Sequence, residues 1–223
     1  MAYKIFIDGK EGTTGLKIYE RFENRSDIEI LLIDDEKRKD PSERAKMINS
    51  SDFTFLCLPD AASIEAVSLC TNPKVRIIDA STAHRTNPDW AYGFPELSSE
   101  HRAKIEKSNR VAGPGCYASG FASIVYPLVK KGIISPDYPV VCHAVSGYSG
   151  AGKKAIAQYE DANRNPELDS PRLYALTQEH KHLPEMMKVS GLNYKPIFNP
   201  YVCDYFQGMT VTVSLHARLL EKK

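Results

Sequence analysis

The chain lacks an excess of charge of either sign. Its 29 Lys and Arg face 28 Asp and Glu, a formal net charge of +1. No global field therefore draws it to nucleic acid or to an acidic surface. It lacks any uninterrupted apolar run long enough to span a bilayer, so no membrane partner is expected. Its first residues, "MAYKIFIDGK", enter an apolar strand pattern at once, without the charged, apolar and small-residue zones of a secretory signal. Its five cysteines (Cys57, Cys70, Cys116, Cys142, Cys203) are dispersed and show no metal-type spacing. That set reads as reduced thiols in a cytoplasmic setting, with no metal site. Internal repeats, linkers and low-complexity tracts are also missing. What is present, 42% hydrophobic and 26% charged residues in a chain of 223, is enough for one large or two modest globular domains.

The first half alternates short apolar runs with helical patterns. "YKIFID" (3–8), "IEILLID" (28–34), "DFTFLCLP" (52–59) and "VRIIDAS" (75–81) read as strands, and "TTGLKIYERFE" (13–23) and "AASIEAVSLC" (61–70) as helices. Unbroken apolar strands separated by helices predict a doubly wound parallel sheet of Rossmann type, covered on both faces. After "RVAGPGC" the pattern changes. Tyr117, Phe121, Ile124, Val125 and Leu128 recur at helical spacing, predicting a helix over 117–131. "PVVCHAVSG" (139–147) reads as a strand, and "YKPIFNPYVCDY" and "GMTVTVSLHARLL" as paired antiparallel strands. "DYFQG" (204–208) sits inside this apolar stretch and reads as native sequence. The expected division is an α/β nucleotide domain over 1–112 and an α+β catalytic domain over 113–223.

"DGKEGTTG" follows the first strand and opens a helix, with Gly9, Gly12 and Gly15 spaced GxxGxxG. Small residues let backbone approach a pyrophosphate, and a helix N-terminus offers it N–H groups. The second strand ends in "IDDEKRKD". Asp34 or Asp35 would bind ribose hydroxyls and favour NAD, whereas Arg38 and Lys39 would suit the 2′-phosphate of NADP; the residues alone leave both open. Cys116, in "VAGPGCYASG", follows a Gly-Pro-Gly turn and opens the 117–131 helix. A thiolate is the reactive form of cysteine, and a helix N-terminus stabilises that anion. The other four cysteines lie in apolar patterns and read as small buried hydrophobes. A cysteine nucleophile needs a proton partner close in space. His180 and His182, in "QEHKHLPEM" with Glu185 close behind, are candidates, while His143 reads as a core residue. His84 and Arg85 follow the fourth strand at the edge where ligands bind, and Arg85 could hold an anion bidentately. "SGYSGAGKK" (146–154) offers backbone donors and two lysines to an anion.

Taken in chain order, "DGKEGTTG", "KRKD", "CLPD", "IDASTAHRT", "YGFPEL", "GPGCY", "HAVSGYSGAGKK", "HKHLPEM" and "YFQGM" resemble the shorter type of the N-acetyl-gamma-glutamyl-phosphate reductase family of arginine biosynthesis. The resemblance implies a semialdehyde dehydrogenase-like enzyme that uses NADPH and releases phosphate from an acyl phosphate, a small-molecule substrate. It implies a homo-oligomer. It makes Cys116 the nucleophile, His182 or its neighbour His180 the acid/base, and Glu185 part of the catalytic set. It places Gly9, Gly12, Thr13, Thr14, Gly15, Arg38, Lys39, Cys57, Pro59 and Ser81 at the cofactor, resolving "KRKD" towards NADP. Arg85, Ser146, Gly147 and Ser149 fall to the substrate. The pattern departs at Gly113, Ala118 and Ser119, where the family usually has Asn, Pro and Thr. The family also continues into a later segment with no match here. The chain is therefore expected to be C-terminally truncated, to expose part of its nucleotide domain, and to be less stable and less active than a longer relative. The alternatives are an aspartate-semialdehyde dehydrogenase-like enzyme, for which the same thioester logic serves, and an inactive nucleotide-binding remnant.

Overall fold

The computed structural model describes residues 2–10 and 12–221. The chain divides into two compact units, Met1–Pro114 and Gly115–Lys223. In chain order the first unit contains β1 (Tyr3–Asp8), α1 (Thr13–Phe22), β2 (Ile28–Leu31), α2 (Pro41–Ser50), β3 (Phe53–Leu56), α3 (Asp60–Leu69), β4 (Arg76–Asp79), β5 (Ala91–Tyr92), α4 (Ser99–Lys107) and β6 (Arg110–Ala112). Its six strands form one sheet in the order β2-β1-β3-β4-β6-β5, and every pairing is parallel. Phe6, Leu56 and Ile77 from successive strands pack with Ile48 of α2 and Ala66 of α3 to make its core. Strand order reverses at β1, between β2 and β3. Ligands of doubly wound sheets bind outside the carboxyl ends of the strands at such a switch point, here around Asp8–Gly9 and Cys57–Pro59.

The switch point is fastened by a buried ion pair. Asp8, the last residue of β1, accepts from Arg44 Nε at 3.0 Å and Nη2 at 2.9 Å, and both side chains are nearly out of solvent. Arg44 also donates to Glu65 of α3 at 2.9 Å, so one guanidinium joins a strand end to two helices. Burial pushes the Asp8 carboxyl above its usual range, and the hydrogen bond and charge of Arg44 pull it back.

The second unit contains α5 (Cys116–Lys130), β7 (Val141–Gly147), α6 (Lys153–Tyr159), β8 (Arg172–Leu173), α7 (Leu183–Ser190), β9 (Ile197–Cys203) and β10 (Met209–Ser214). Tyr117, Ala118, Phe121, Ala122 and Val125 are the buried residues of α5, and all but Ala122 join Cys142 and Ala144 of β7 and Phe198 of β9 in one core cluster. A Cβ on Gly120 would come within 2.7 Å of Val211, so the helix lies close against β10. The strand order is β10-β7-β9-β8.

Two expectations are corrected here. β9 and β10 do not pair with each other: β7 lies between them, antiparallel to β10 and parallel to β9. β7 wins the central place because its own alternating residues, Cys142 and Ala144, bury under α5, and the 204–208 connection passes over its end. Gly147 N–H donates to Gly208, Tyr148 N–H to Tyr205 and Ser149 N–H to Phe206, each at 3.0 Å. The second correction is His143, which is exposed and not a core residue. The period-two alternation that buries Cys142 and Ala144 sends it to the opposite face.

Arg44→Ala would leave the Asp8 carboxylate buried without its counter-charge, a loss expected to cost about 3–5 kcal/mol at pH 7. Asp8 already holds its proton more tightly in the folded state than the ordinary 3.8, and more so without Arg44. The deficit should therefore shrink as pH falls through that raised pKa, because a protonated Asp8 needs no counter-charge. Urea unfolding at pH 7 and pH 4.5 measures this; a deficit that is equal at both would assign the loss to packing.

Candidate active site

Cys116 is the first residue of α5, with Gly115 as its N-cap at φ −71° and ψ 145°, and it is exposed. The first N–H groups of a helix have no intrahelical acceptor and favour an anion beside them. Gly115 is fixed from two sides. Its carbonyl accepts from Ser119 N–H and from Ser119 Oγ, each at 2.8 Å. Its own N–H donates to Glu185 Oε1 at 2.8 Å. Glu185 is 1% exposed and sits in the first turn of α7, so the carboxylate that holds the turn before Cys116 belongs to the helix that follows the histidines.

His182 is the N-cap of α7 and is buried. Its backbone N–H donates to His180 Nδ1 at 3.1 Å, which leaves a neutral His180 with its proton on Nε2. The two rings lie 4.7 Å apart and each meets the Tyr117 ring edge-on, at 5.8 Å for His180 and 5.9 Å for His182. Tyr117 follows Cys116 directly, so the backbone itself joins the ring that meets the histidine pair to Cys116. Burial, with a smaller push from Lys181, lowers the His180 pKa below its usual 6.5. Tyr174 donates to Tyr117 Oη at 2.8 Å, Tyr117 meets Ser146 Oγ at 2.6 Å, and Ser146 donates to the Tyr201 carbonyl at 3.3 Å. Burial raises both phenols, opposed at Tyr117 by its hydrogen bonds with Ser146 and Tyr174 and reinforced at Tyr174 by its hydrogen bond to Tyr117; they stay protonated near neutral pH. Asp8, Arg44, Tyr117, Tyr174 and Gln178 carry no signal in sequence that marks them for these places.

Ser146 is therefore tied to Tyr117. Gly147 is packed so that a Cβ would come within 2.6 Å of the Tyr205 carbonyl. The N–H groups of Gly147, Tyr148 and Ser149 are spent on the 204–208 loop. Whatever the 146–154 turn offers an anion comes from elsewhere in it, Lys153 and Lys154 included.

In the first unit, Gly9 has φ +89°, and a Cβ there would sit 2.4 Å from the Cys57 carbonyl. Gly15 is packed as closely on the Gly9 carbonyl. Gly12 is the N-cap of α1. Thr14 is exposed on α1, and the side chain of Thr13 lies outside the described residues. A cleft of about 450 Å³ opens here, lined by Gly9, Lys10, Tyr19, Asp35, Arg38 and Lys39 among others. Asp34 instead caps its own turn, accepting from Glu36 N–H at 3.1 Å. Pro59 precedes α3 as its N-cap. Burial pushes the Cys57 thiol up to about 12. Ser81 donates to Asp79 through Oγ at 2.7 Å and N–H at 2.9 Å. The fully buried Asp79 also accepts from Ser63 and meets His84 Nδ1 at 2.6 Å. Arg85 donates to the carbonyls of Gly113 at 2.8 Å and Ala80 at 2.9 Å. The turn after β4 is thus bound to the segment that leads to Cys116. The room for a Cβ at Gly113 is tight, 3.3 Å from the Asp79 carbonyl.

Two family models match: "Semialdehyde dehydrogenase, NAD binding domain" over residues 4–105 and "Semialdehyde dehydrogenase, dimerisation domain" over residues 116–222. Over 97% of its length the chain is 47% identical to an N-acetyl-gamma-glutamyl-phosphate reductase of Burkholderia ambifaria, covering 68% of that protein. The chain belongs to the N-acetyl-gamma-glutamyl-phosphate reductase family. A second such protein, from Pseudomonas putida, is 47% identical over 97% of the chain and 69% of its own length. One from a Nostoc species is 49% identical over 95% and 67%. The chain thus spans about two thirds of the length of these relatives. Among solved structures, the aspartate semialdehyde dehydrogenase of Francisella tularensis has a TM-score of 0.70 at 14% identity, over 100% of this chain and 77% of that one. That of Candida albicans, solved with NADP, has 0.66 at 14%, over 96% and 71%. These share the fold. Members of the reductase family are oxidoreductases with a Rossmann-type NAD(P)-binding domain. Among the described residues no helix is long and apolar enough to cross a membrane.

Cys116 should be the first thiol alkylated by iodoacetamide at neutral pH, because it is exposed at a helix start while burial holds the Cys57 and Cys142 thiols up at about 12. Peptide mapping after brief labelling reads this. Prior labelling of Cys57 or Cys142 would remove the nucleophile assignment.

Proposed function

We propose that the chain reduces N-acetyl-gamma-glutamyl phosphate to N-acetyl-glutamate semialdehyde with NADPH and releases phosphate, a step of arginine biosynthesis, through a thioester on Cys116. The observation that carries this reading is an exposed cysteine at the start of α5 whose preceding N–H is held by Glu185, in the unit that also holds a half-buried His180 against a buried His182. The 47% identity to reductases of that name supports the substrate. Residues 1–112 hold the dinucleotide and 113–223 the acyl phosphate.

The Cys116 thiolate bonds to the acyl carbon, and the bond from that carbon to the phosphate oxygen breaks. The histidine pair delivers the proton that the departing phosphate takes up, with His182 as the acid/base and His180 in support. A dinucleotide held at the Gly9–Gly15 turn with Arg38 and Lys39 at its 2′-phosphate would supply the hydride that reduces the thioester. The resulting hemithioacetal collapses to the aldehyde and returns the Cys116 thiolate, its oxygen steadied by His182 in the same position. The glycine turn and the cleft at β1 and β2 fit a dinucleotide, and Arg38 with Lys39 in that cleft fits a 2′-phosphate. Arg85 in the first unit and Lys153 and Lys154 of the 146–154 turn in the second are the proposed contacts for the substrate's anions, with Ser146, Gly147 and Ser149 shaping that turn. The working state is a cytoplasmic homo-oligomer.

A spectrophotometric assay with N-acetyl-gamma-glutamyl phosphate and aspartyl phosphate in parallel tests the reading. Oxidation of NADPH with the first and little with the second is expected; the reverse order would make the chain an aspartate-semialdehyde dehydrogenase, and no oxidation with either would end the reading. His182→Ala should lower kcat by about 10²–10⁴-fold and leave NADPH affinity unchanged. The same loss from His180→Ala with His182→Ala active would exchange the two roles. An Arg38→Ala, Lys39→Ala double variant should lose roughly ten-fold or more in NADPH affinity and little in NADH affinity. Equal wild-type affinity for the two cofactors would shift the preference to Asp35.

A further inference from the structure

The loop that carries the histidines is held by a residue with no place in the chemistry above. Gln178 N–H donates to Ala175 at 3.0 Å, and both residues have left-handed backbone, φ 56° at Ala175 and φ 57° at Gln178. Neither is the glycine or asparagine that such a conformation favours, so the turn is strained and something must hold it. The holder is the Gln178 carboxamide. Its Oε1 accepts from Phe198 N–H at 2.7 Å, and its Nε2 donates to the Phe198 carbonyl at 2.9 Å. The side chain thus makes both hydrogen bonds that a neighbouring strand would make to that residue of β9. Phe198 is in turn the ring against which His180 packs, 5.2 Å away.

We propose that Gln178 is the positioning residue of the active site: its carboxamide, standing in for a strand partner of Phe198, fixes the 175–182 loop and keeps the His180 ring packed between Tyr117 and Phe198. The proposal rests on the reductase reading only in what it says of catalysis. The side chain reaches neither Cys116 nor the substrate, and it acts through His180 and, by the His182 N–H bond to His180 Nδ1, through His182. The depressed ionisation of His180 comes from burial first, and that burial is what the clamp maintains. The titratable groups around the ring are Tyr117 from α5, Tyr174 after β8, and Lys181 and His182 on its own loop; β9 presents the uncharged Phe198.

The test uses two variants that accept left-handed backbone but cannot reach Phe198 with both groups, Gln178→Gly and Gln178→Asn, with thermal melting as the check of folding. Histidine NMR titration of the whole chain reads His180 directly, with a His180→Gln variant to assign its signal. In wild type His180 should titrate below 6.5; in both variants it should move up towards 6.5 as the ring gains solvent. With substrate, kcat should fall about ten-fold or more while the KM for NADPH stays unchanged. A His180 titration unmoved in both variants, or a kcat unchanged in both, overturns the proposal. The titration needs no substrate, so an inactive wild-type chain would count against the reductase reading while leaving Gln178 to be judged on His180 alone.

Discussion

One hydrogen bond joins the two halves of the candidate site: the Glu185 carboxylate accepting the N–H of Gly115. The partners are 70 residues apart in the chain, and the carboxylate is buried. A buried carboxylate survives only if its charge is met by well-placed donors, so its position is not adjustable. Because Glu185 lies in the first turn of α7, it fixes that helix relative to the turn before Cys116. His182 caps the same helix, and His180 is bonded to His182. Cys116 and the histidine pair are therefore held by this bond together with the packing of the Tyr117 ring against both imidazoles, and Tyr174 and Phe198 complete the aromatic cluster around His180.

The nucleotide unit is built on the same physics at two other carboxylates. Asp8 and Asp79 end β1 and β4, at the edge where a doubly wound sheet binds its ligands. Asp8 is satisfied by Arg44 and Asp79 by Ser63, Ser81 and His84. Asp79 fixes the turn that follows its strand, through Ser81 and His84, whereas Asp8 ties the end of β1 to α2 and, through Arg44 and Glu65, to α3. Charge is placed under the site to hold its loops, while the residues left for ligands are small, backbone or exposed. Cys57, which the family resemblance puts near the cofactor, contributes most visibly through its carbonyl, the atom that leaves no room for a side chain at residue 9.

The elements that the sequence made legible are those with an unmixed signal. β1, β3 and β4 are apolar runs, α1 follows a glycine turn, and α5 has five buried positions on one side; each lies within a few residues of where its pattern puts it. α2 and α4 carry weaker patterns. One of the two buried positions of α2 is Arg44, and α4 has no buried residue at all, so hydrophobic periodicity cannot reveal either. The helices are instead started by caps, Asp40 for α2 and Ser98 for α4. Strand propensity says nothing about which strand lies between two others, so the place of β7 between β9 and β10 is not legible in the sequence. In the site, Cys116 stood out through its own neighbours, Gly-Pro-Gly and a helix start. Glu185 and Gln178 hold partners 70 and 20 residues away, and only the folded chain brings those together. The exposure of His143 follows from alternation along β7, a pattern present in the sequence but outweighed there by the apolar company of that residue.

The most direct test of the Glu185 constraint is the burst of phosphate released from N-acetyl-gamma-glutamyl phosphate without any cofactor, with mass spectrometry to locate the acyl group. Wild type should release one equivalent per chain and carry the acyl group on Cys116. Glu185→Gln, which still presents an acceptor to Gly115, should keep most of the burst rate, and Glu185→Leu, which presents none, should lose about ten-fold or more. A Glu185→Leu chain that folds and acylates Cys116 at the wild-type rate would contradict the dependence of the site on this bond.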